Sequence, residues 1–225
     1  MNATATGRRR VGILISGRGS NMMALVAAAR ASDYPAEVVC VISNRPDAPG
    51  LAWARAQGLA VHAVDHKACA TREAFEEALD AALTAEGVEL VACAGFMRLM
   101  TAGFVGRWAG HMINIHPSLL PLYPGLNTHA RALADGVRIA GCTVHYVVAE
   151  VDAGPIIAQG AVPVVDGDTP DSLAERILAV EHVIYPRALA LVASGGAHLQ
   201  NGRVRILTSV NQTARLISPD GAEPG

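Results

Sequence analysis

The first hundred residues alternate between short apolar, β-branched runs and stretches of helical composition, and this restricts the fold more than any other feature. Val11–Ile15, Glu37–Ser43, Val61–Val64 and Glu89–Ala94 read as strands. Met22–Ala31, Pro49–Gln57 and Thr71–Glu86 read as the helices between them, the last two closed by Gly58 and Gly87. Such an alternation predicts an α/β fold, a doubly wound, mostly parallel Rossmann-like sheet. An apolar share of 51% with only 4% aromatics suits small-residue packing between helices and a parallel sheet. After residue 116 the pattern changes. Thr128–Ala134 is a short helix, Gly141–Val148 and Pro155–Val164 are strands, and antiparallel strands are therefore expected in the C-terminal half. Asp168–Ser172 opens a long helix running to about Ala193, and Gly202 closes a hairpin to Val204–Leu207.

Ligands of such sheets sit beyond the carboxyl ends of the strands, so the segments that follow the strands carry the chemistry. Ser16-Gly17-Arg18-Gly19-Ser20-Asn21 ends the first strand and opens a helix. Glycines allow close backbone approach, and free N–H groups at a helix start favour an anion, so a phosphate is the natural ligand; a tight turn with no ligand fits the same residues. A dinucleotide site would need a third glycine near Met22 and an acidic residue ending the second strand, which instead ends Ser43-Asn44-Arg45-Pro46. Phe96, Met97, Leu99 and Met100 around Arg98 are either core filler or a wall for a flat heterocycle. The third segment is Asn114-Ile115-His116-Pro117-Ser118-Leu119-Leu120-Pro121. Residues i and i+2 of a strand share a side, so Asn114 and His116 present an amide and an imidazole together where the strand gives out. Prolines 117, 121 and 124 predict a stiff loop beyond them. Asp152 stands at the Val151-Asp152-Ala153-Gly154-Pro155 turn, where an aspartate commonly serves only its local backbone.

Other chemistries are excluded by what the chain lacks. A formal charge of -2 argues against a general binder of nucleic acid or membrane surfaces. Lys67 is the only lysine among eighteen basic residues, so no P-loop is present and a Schiff base would have to use that residue. Cys40, Cys69, Cys93 and Cys142 have no Cys-x-x-Cys spacing and no His-Glu-x-x-His occurs, so no metal is expected and the thiols read as reduced. With no signal-like opening and no run of about eighteen apolar residues, a cytoplasmic protein is expected.

The segments Gly17–Asn21, Ala94–Arg98, Asn114–Pro121, Tyr123–Gly125, Val151–Pro155 and Glu181-His182 together resemble, in order and spacing, the phosphoribosylglycinamide formyltransferases, a family of folate-dependent formyltransferases. The resemblance runs from about Val11 to about Leu207. It implies transfer of a formyl group from 10-formyltetrahydrofolate, a co-substrate, to the amine of glycinamide ribonucleotide in purine synthesis. It further implies that Gly19, Ser20 and Asn21 hold the phosphate and Glu181 the ribose. Phe96, Met97, Arg98 and Leu99, with Val147, Val148 and Val151, would line the pterin pocket. The chain would then divide into a flexible lead over 1–9, one domain over 10–208 and a mobile tail over 209–225. Within the domain, 10–100 would bind phosphate and 101–208 carry catalysis and folate. The protein is expected as a monomer or homodimer whose partners are its two small-molecule substrates. The family's loop after Tyr-Pro-Gly commonly reads Leu-x-Thr-His or His-Thr-His, whereas here Asn127 precedes Thr128-His129, and Arg18 fills a slot that is often neutral.

Formyl transfer explains the residue types. An amine attacks a formyl carbon, a negative oxygen develops and a poor leaving nitrogen must gain a proton. Asn114 and a protonated His116 would steady the oxyanion, while Asp152 orients the imidazolium and helps relay the proton through water. The Leu120-Pro121 bond is expected to be cis. Three rivals fit parts of the pattern. Formyltetrahydrofolate hydrolase uses water in place of the amine and usually carries an added N-terminal domain; methionyl-tRNA formyltransferase shares the Ser-Leu-Leu-Pro run and has a basic C-terminal domain. The third is a nucleotide-binding module without catalysis.

Overall fold

In the computed structural model, which describes residues 7–207 and Ser218, the chain runs β1 (Arg9–Ile15), α1 (Ser20–Ala28), β2 (Ala36–Ser43), α2 (Pro49–Ala56), β3 (Ala60–Ala63), α3 (Arg72–Ala85), β4 (Leu90–Cys93), α4 (Ala102–Arg107), β5 (Met112–His116), α5 (Thr128–Ala134), β6 (Ile139–Tyr146), β7 (Ile156–Pro163), α6 (Pro170–Ala193), β8 (Ala197–Gln200) and β9 (Arg203–Ile206). The expected lead through residue 6 and, Ser218 apart, the expected tail lie outside the described residues. Seven strands form one sheet in the order β3-β2-β1-β4-β5-β6-β7, and β8 and β9 form a separate hairpin. Strands β1 to β5 are mutually parallel, whereas β6 and β7 each pair antiparallel with the strand before. The mixed sheet matches the switch in sequence pattern after residue 116.

Side-chain alternation along the strands separates two cores. One face carries Val11, Ile13 and Ile15 of β1 and Leu90 and Ala92 of β4, covered by Met22 and Leu25 of α1 and by Leu173, Ile177 and Tyr185 of α6. The other carries Leu14, Ile42, Val91, Cys93 and Met112, covered by Phe75, Leu79 and Leu83 of α3 and by Phe104 of α4. Helices on both faces are what a parallel sheet requires. On β5, Ile113 and Ile115 face the first core and Met112 the second. Asn114 and His116 follow Met112 on the second face, so polar side chains take over where apolar packing ends.

Most element boundaries shift by one to three residues from the sequence reading, and three differences are instructive. The first strand starts at Arg9 rather than Val11, and the Arg8 guanidinium bonds the carbonyls of Ala29 and Ala36. The lead therefore ends earlier than expected. Strand β6 ends at Tyr146, which moves Val147 and Val148 into the following loop. The short helix α4, capped by the Thr101 hydroxyl, is absent from the sequence reading because six residues cannot display a helical period. Among the described residues no helix is long and apolar enough to cross a membrane.

Candidate active site

At the end of β5 the His116 ring is buried, and each of its nitrogens faces an acceptor. Nε2 donates to the Tyr123 carbonyl at 2.9 Å, and Nδ1 lies 3.4 Å from Asp152 Oδ2. With Nε2 spent on the carbonyl, Nδ1 is the ring atom turned to the Asp152 carboxylate. Asp152 is itself nearly buried, and its Oδ2 also accepts the Gly125 N–H at 2.8 Å. The catalytic trio of the sequence reading thus contains a direct contact between residues 36 positions apart.

Asn114 reaches the same cluster through a residue that the sequence reading missed. Its cross-strand partner on β6 is His145, and Asn114 Nδ2 lies 3.2 Å from His145 Nε2. His145 Nδ1 faces the Tyr146 carbonyl at 2.9 Å and must carry the proton, which leaves Nε2 as the acceptor for the Asn114 amide. Burial, the largest effect, pushes the His145 pKa down; the Tyr146 carbonyl and Asp152 oppose this, and His116 adds to it. Asp152 Oδ1, at 3.8 Å, is beyond hydrogen-bond range and does not reverse the balance. A neutral His145 therefore fixes which way the Asn114 amide points. Only the β5–β6 register, absent from local sequence, reveals this pair; the nearest clue is Thr143 and His145 at i and i+2 in an apolar strand.

The proline-rich loop folds back over this head. Thr143 Oγ1 donates to Ser118 O and accepts from Leu120 N, Ser118 Oγ donates to Leu122 O at 2.6 Å, and Arg131 Nη1 donates to Pro124 O. The Leu120-Pro121 bond is cis, as expected. Tyr123, Asn127 and Asp152 have φ of 55°, 57° and 54°, a left-handed conformation that costs a non-glycine residue about 1 kcal/mol or more. Three such residues flank His116 and its loop. Asn127 is the left-handed residue preceding α5 and makes no side-chain cap there.

The other predicted residues form two groups. Gly19, at φ 73°, precedes α1, whose first residues are Ser20 and Asn21. Asn21 Nδ2 donates to Glu181 Oε2 of α6 at 2.6 Å, both buried, although 160 residues separate them. Asn21 Oδ1 is buried without a partner among the described residues. Burial raises the Glu181 pKa, an effect partly offset by the Asn21 bond. Arg18 is exposed and has no side-chain partner among the described residues. On the opposite face of the sheet, Phe96 stacks on Phe75 at 6.5 Å between centroids and the Arg98 guanidinium lies 5.8 Å from the same ring. Met97 and Leu99 are 66% and 61% exposed, Val147 packs against the α3–α4 core, and Val148 and Val151 are exposed. Phe96 and Val147 thus pack inward, while Met97, Leu99, Val148 and Val151 stay exposed and leave an open apolar wall.

The family model described as Formyl transferase matches residues 9–189, and the chain belongs to that family. Within it, the chain stands with the phosphoribosylglycinamide formyltransferases. It is 43% identical over 183 residues to the phosphoribosylglycinamide formyltransferase of Escherichia coli (strain K12), covering 81% of this chain and 86% of that protein. The crystal structure of glycinamide ribonucleotide transformylase 1 from Symbiobacterium toebii superposes with a TM-score of 0.87 at 47% identity, covering 92% of this chain and 98% of that one. The trifunctional purine biosynthetic protein adenosine-3 of Bos taurus is 47% identical over 198 residues. The match covers 88% of this chain and only 20% of that protein's length.

Proposed function

We propose that the chain transfers the formyl group of 10-formyltetrahydrofolate to the amine of glycinamide ribonucleotide, in the cytoplasm and as a step of purine synthesis. The observation that carries this reading is the cluster of Asn114, His116 and Asp152, with His145 behind it, in a chain 43% identical to a named phosphoribosylglycinamide formyltransferase.

In this reading the amine attacks the formyl carbon directly, and the carbon passes through a tetrahedral intermediate with a negative oxygen. The Asn114 amide has two N–H donors and spends one on His145, leaving the other for that oxygen. The His116 imidazolium supplies positive charge beside it, held by Asp152 and the Tyr123 carbonyl. The attacking nitrogen loses a proton and the leaving folate nitrogen gains one; Asp152 relays it through water. Gly19, Ser20 and Asn21 take the phosphate at the N-terminus of α1. Glu181 and the unpartnered Asn21 Oδ1 are acceptors, suited to the hydroxyl donors of a ribose. The open wall around Phe96, Met97, Arg98 and Leu99, with Val147, Val148 and Val151, receives the pterin. Both partners are small molecules, and the protein acts as a monomer or homodimer.

Purified protein should consume 10-formyltetrahydrofolate only when glycinamide ribonucleotide is present, with formylated ribonucleotide formed in equal amount. Deformylation without the ribonucleotide would reassign the protein as a hydrolase, and ribonucleotide binding without turnover would leave a binding module.

A further inference from the structure

One buried polar link connects the glycine turn to the apolar wall. Ser16 follows β1, immediately before Gly17, and its N–H donates to Gly95 O at 3.1 Å. In return the Met97 N–H donates to Ser16 Oγ at 2.7 Å. The Ser16 hydroxyl has a single hydrogen, and Asn44 Oδ1 lies 2.6 Å from it. That separation fits O–H···O and is short for N–H···O, so the hydroxyl donates to Asn44 and turns a lone pair toward Met97. Ser16 is 7% and Asn44 3% exposed, so water cannot readily replace either bond. Asn44 follows β2, and its carbonyl accepts from His66 Nδ1 at 2.8 Å. The far end of the wall is held separately, by the buried Glu76 carboxylate bonding the Thr101 N–H and hydroxyl.

We propose that Ser16 is a positioning residue for the formyl donor: its hydroxyl, aimed by Asn44, pins the Met97 N–H and fixes the 95–101 wall relative to the turn that holds the phosphorylated substrate. This rests on the assignment of residues 96–99 to the donor. Ser16 touches neither substrate, and it acts through the backbone that presents Met97 and Arg98. Pinning the wall in advance spares the donor the cost of ordering it on binding.

The test uses Ser16→Ala, Ser16→Thr and Asn44→Ala in the full chain, with KM for each substrate and hydrogen exchange of the Met97 amide as readouts. Ser16→Ala should raise KM for the formyl donor roughly tenfold, the scale of one lost buried hydrogen bond. KM for the ribonucleotide should stay within about twofold, and Met97 exchange should quicken about as much as donor KM rises. Ser16→Thr should restore both values toward those of the unaltered protein. Asn44→Ala should act in the same direction, and the double variant should be little worse than Ser16→Ala, because both changes disable one hydroxyl. Unchanged donor KM and unchanged Met97 exchange in Ser16→Ala would overturn the proposal, as would equal rises in both KM values with a lowered Tm. An unaltered protein that fails to take the donor overturns the functional reading and this role with it, while the exchange measurement still reports whether the clamp exists.

Discussion

At the scale of single residues, the site depends on which atoms carry protons. His116 is held between two acceptors, and Asp152 supplies the only negative charge among them. Asp152→Asn removes that charge at nearly constant shape, and kcat should fall roughly a hundredfold or more while both substrates still bind. His116→Ala should be comparably damaging, and the double variant little worse than either, since groups acting as one unit do not add. Single-turnover rates across the cycle decide it, and losses that multiply would show two independent roles. His145 makes the opposite use of protonation. Its folded pKa is pushed down by burial, so the stability it contributes is complete above the ordinary histidine range and is lost as pH falls through and below that range. A proton on Nε2 would also set a donor against the Asn114 amide. Unfolding free energy should therefore drop more steeply from pH 7 to 5 in the unaltered protein than in His145→Gln, which retains an acceptor without a titrating ring. Parallel curves would remove His145 from the account.

At the scale of elements, the sequence resolved what is periodic and local. The βα alternation, the start of the long helix within Asp168–Ser172, the glycine turn before α1 and the proline-rich loop after His116 are written in spacing, glycine and proline. Cross-strand partners are not, because a register between strands some thirty residues apart depends on the packing of the whole sheet. His145 was invisible for that reason, and so was the return of the β6–β7 connection that brings Asp152 to His116. That return depends on Gly154. A Cβ there would lie 1.7 Å from Tyr146 O, the same carbonyl that accepts from His145 Nδ1. Gly154→Ala must push the connection outward, and a displacement of about 1 Å in a catalytic group can cost a hundredfold in rate. Activity should collapse by about that factor and Tm should fall, since overpacking of this kind costs about 1–3 kcal/mol. Gly106→Ala in α4, where an added Cβ meets nothing within 4 Å, is the matched control and should leave both unchanged or Tm slightly raised. Full activity in Gly154→Ala would mean that the connection tolerates a shift and that Asp152 is not held as described.

Across the whole molecule, α6 links the sheet to the site. One face of this 24-residue helix packs across the first core, and two positions one turn apart face inward with different tasks. Tyr185 sends its hydroxyl between the central strands, to Cys93 O at 2.9 Å and Ile113 O at 3.3 Å. Glu181 reaches Asn21 at the start of α1. Tyr185→Phe should lower stability by about 1–2 kcal/mol, the cost of a buried hydrogen bond, and Tm by a few degrees, with both KM values unchanged. Glu181→Gln should do the reverse. Burial raises the Glu181 pKa, so the stability linked to its proton is present at acid pH and lost as pH rises through the folded value. At neutral pH the charged carboxylate is therefore a burden, and Gln removes it while still accepting from Asn21. The variant should melt no lower than the unaltered protein at pH 7, and the gap between them should close as pH falls toward the carboxylate range. Its ribonucleotide KM should nonetheless rise about tenfold or more, because a neutral amide is a weaker acceptor for ribose hydroxyls than a carboxylate. Paired melting and kinetic measurements on the two variants separate the roles. Were Glu181→Gln to lose stability and keep its ribonucleotide KM, the carboxylate would be a structural tie between α1 and α6 and the ribose would have to bind elsewhere.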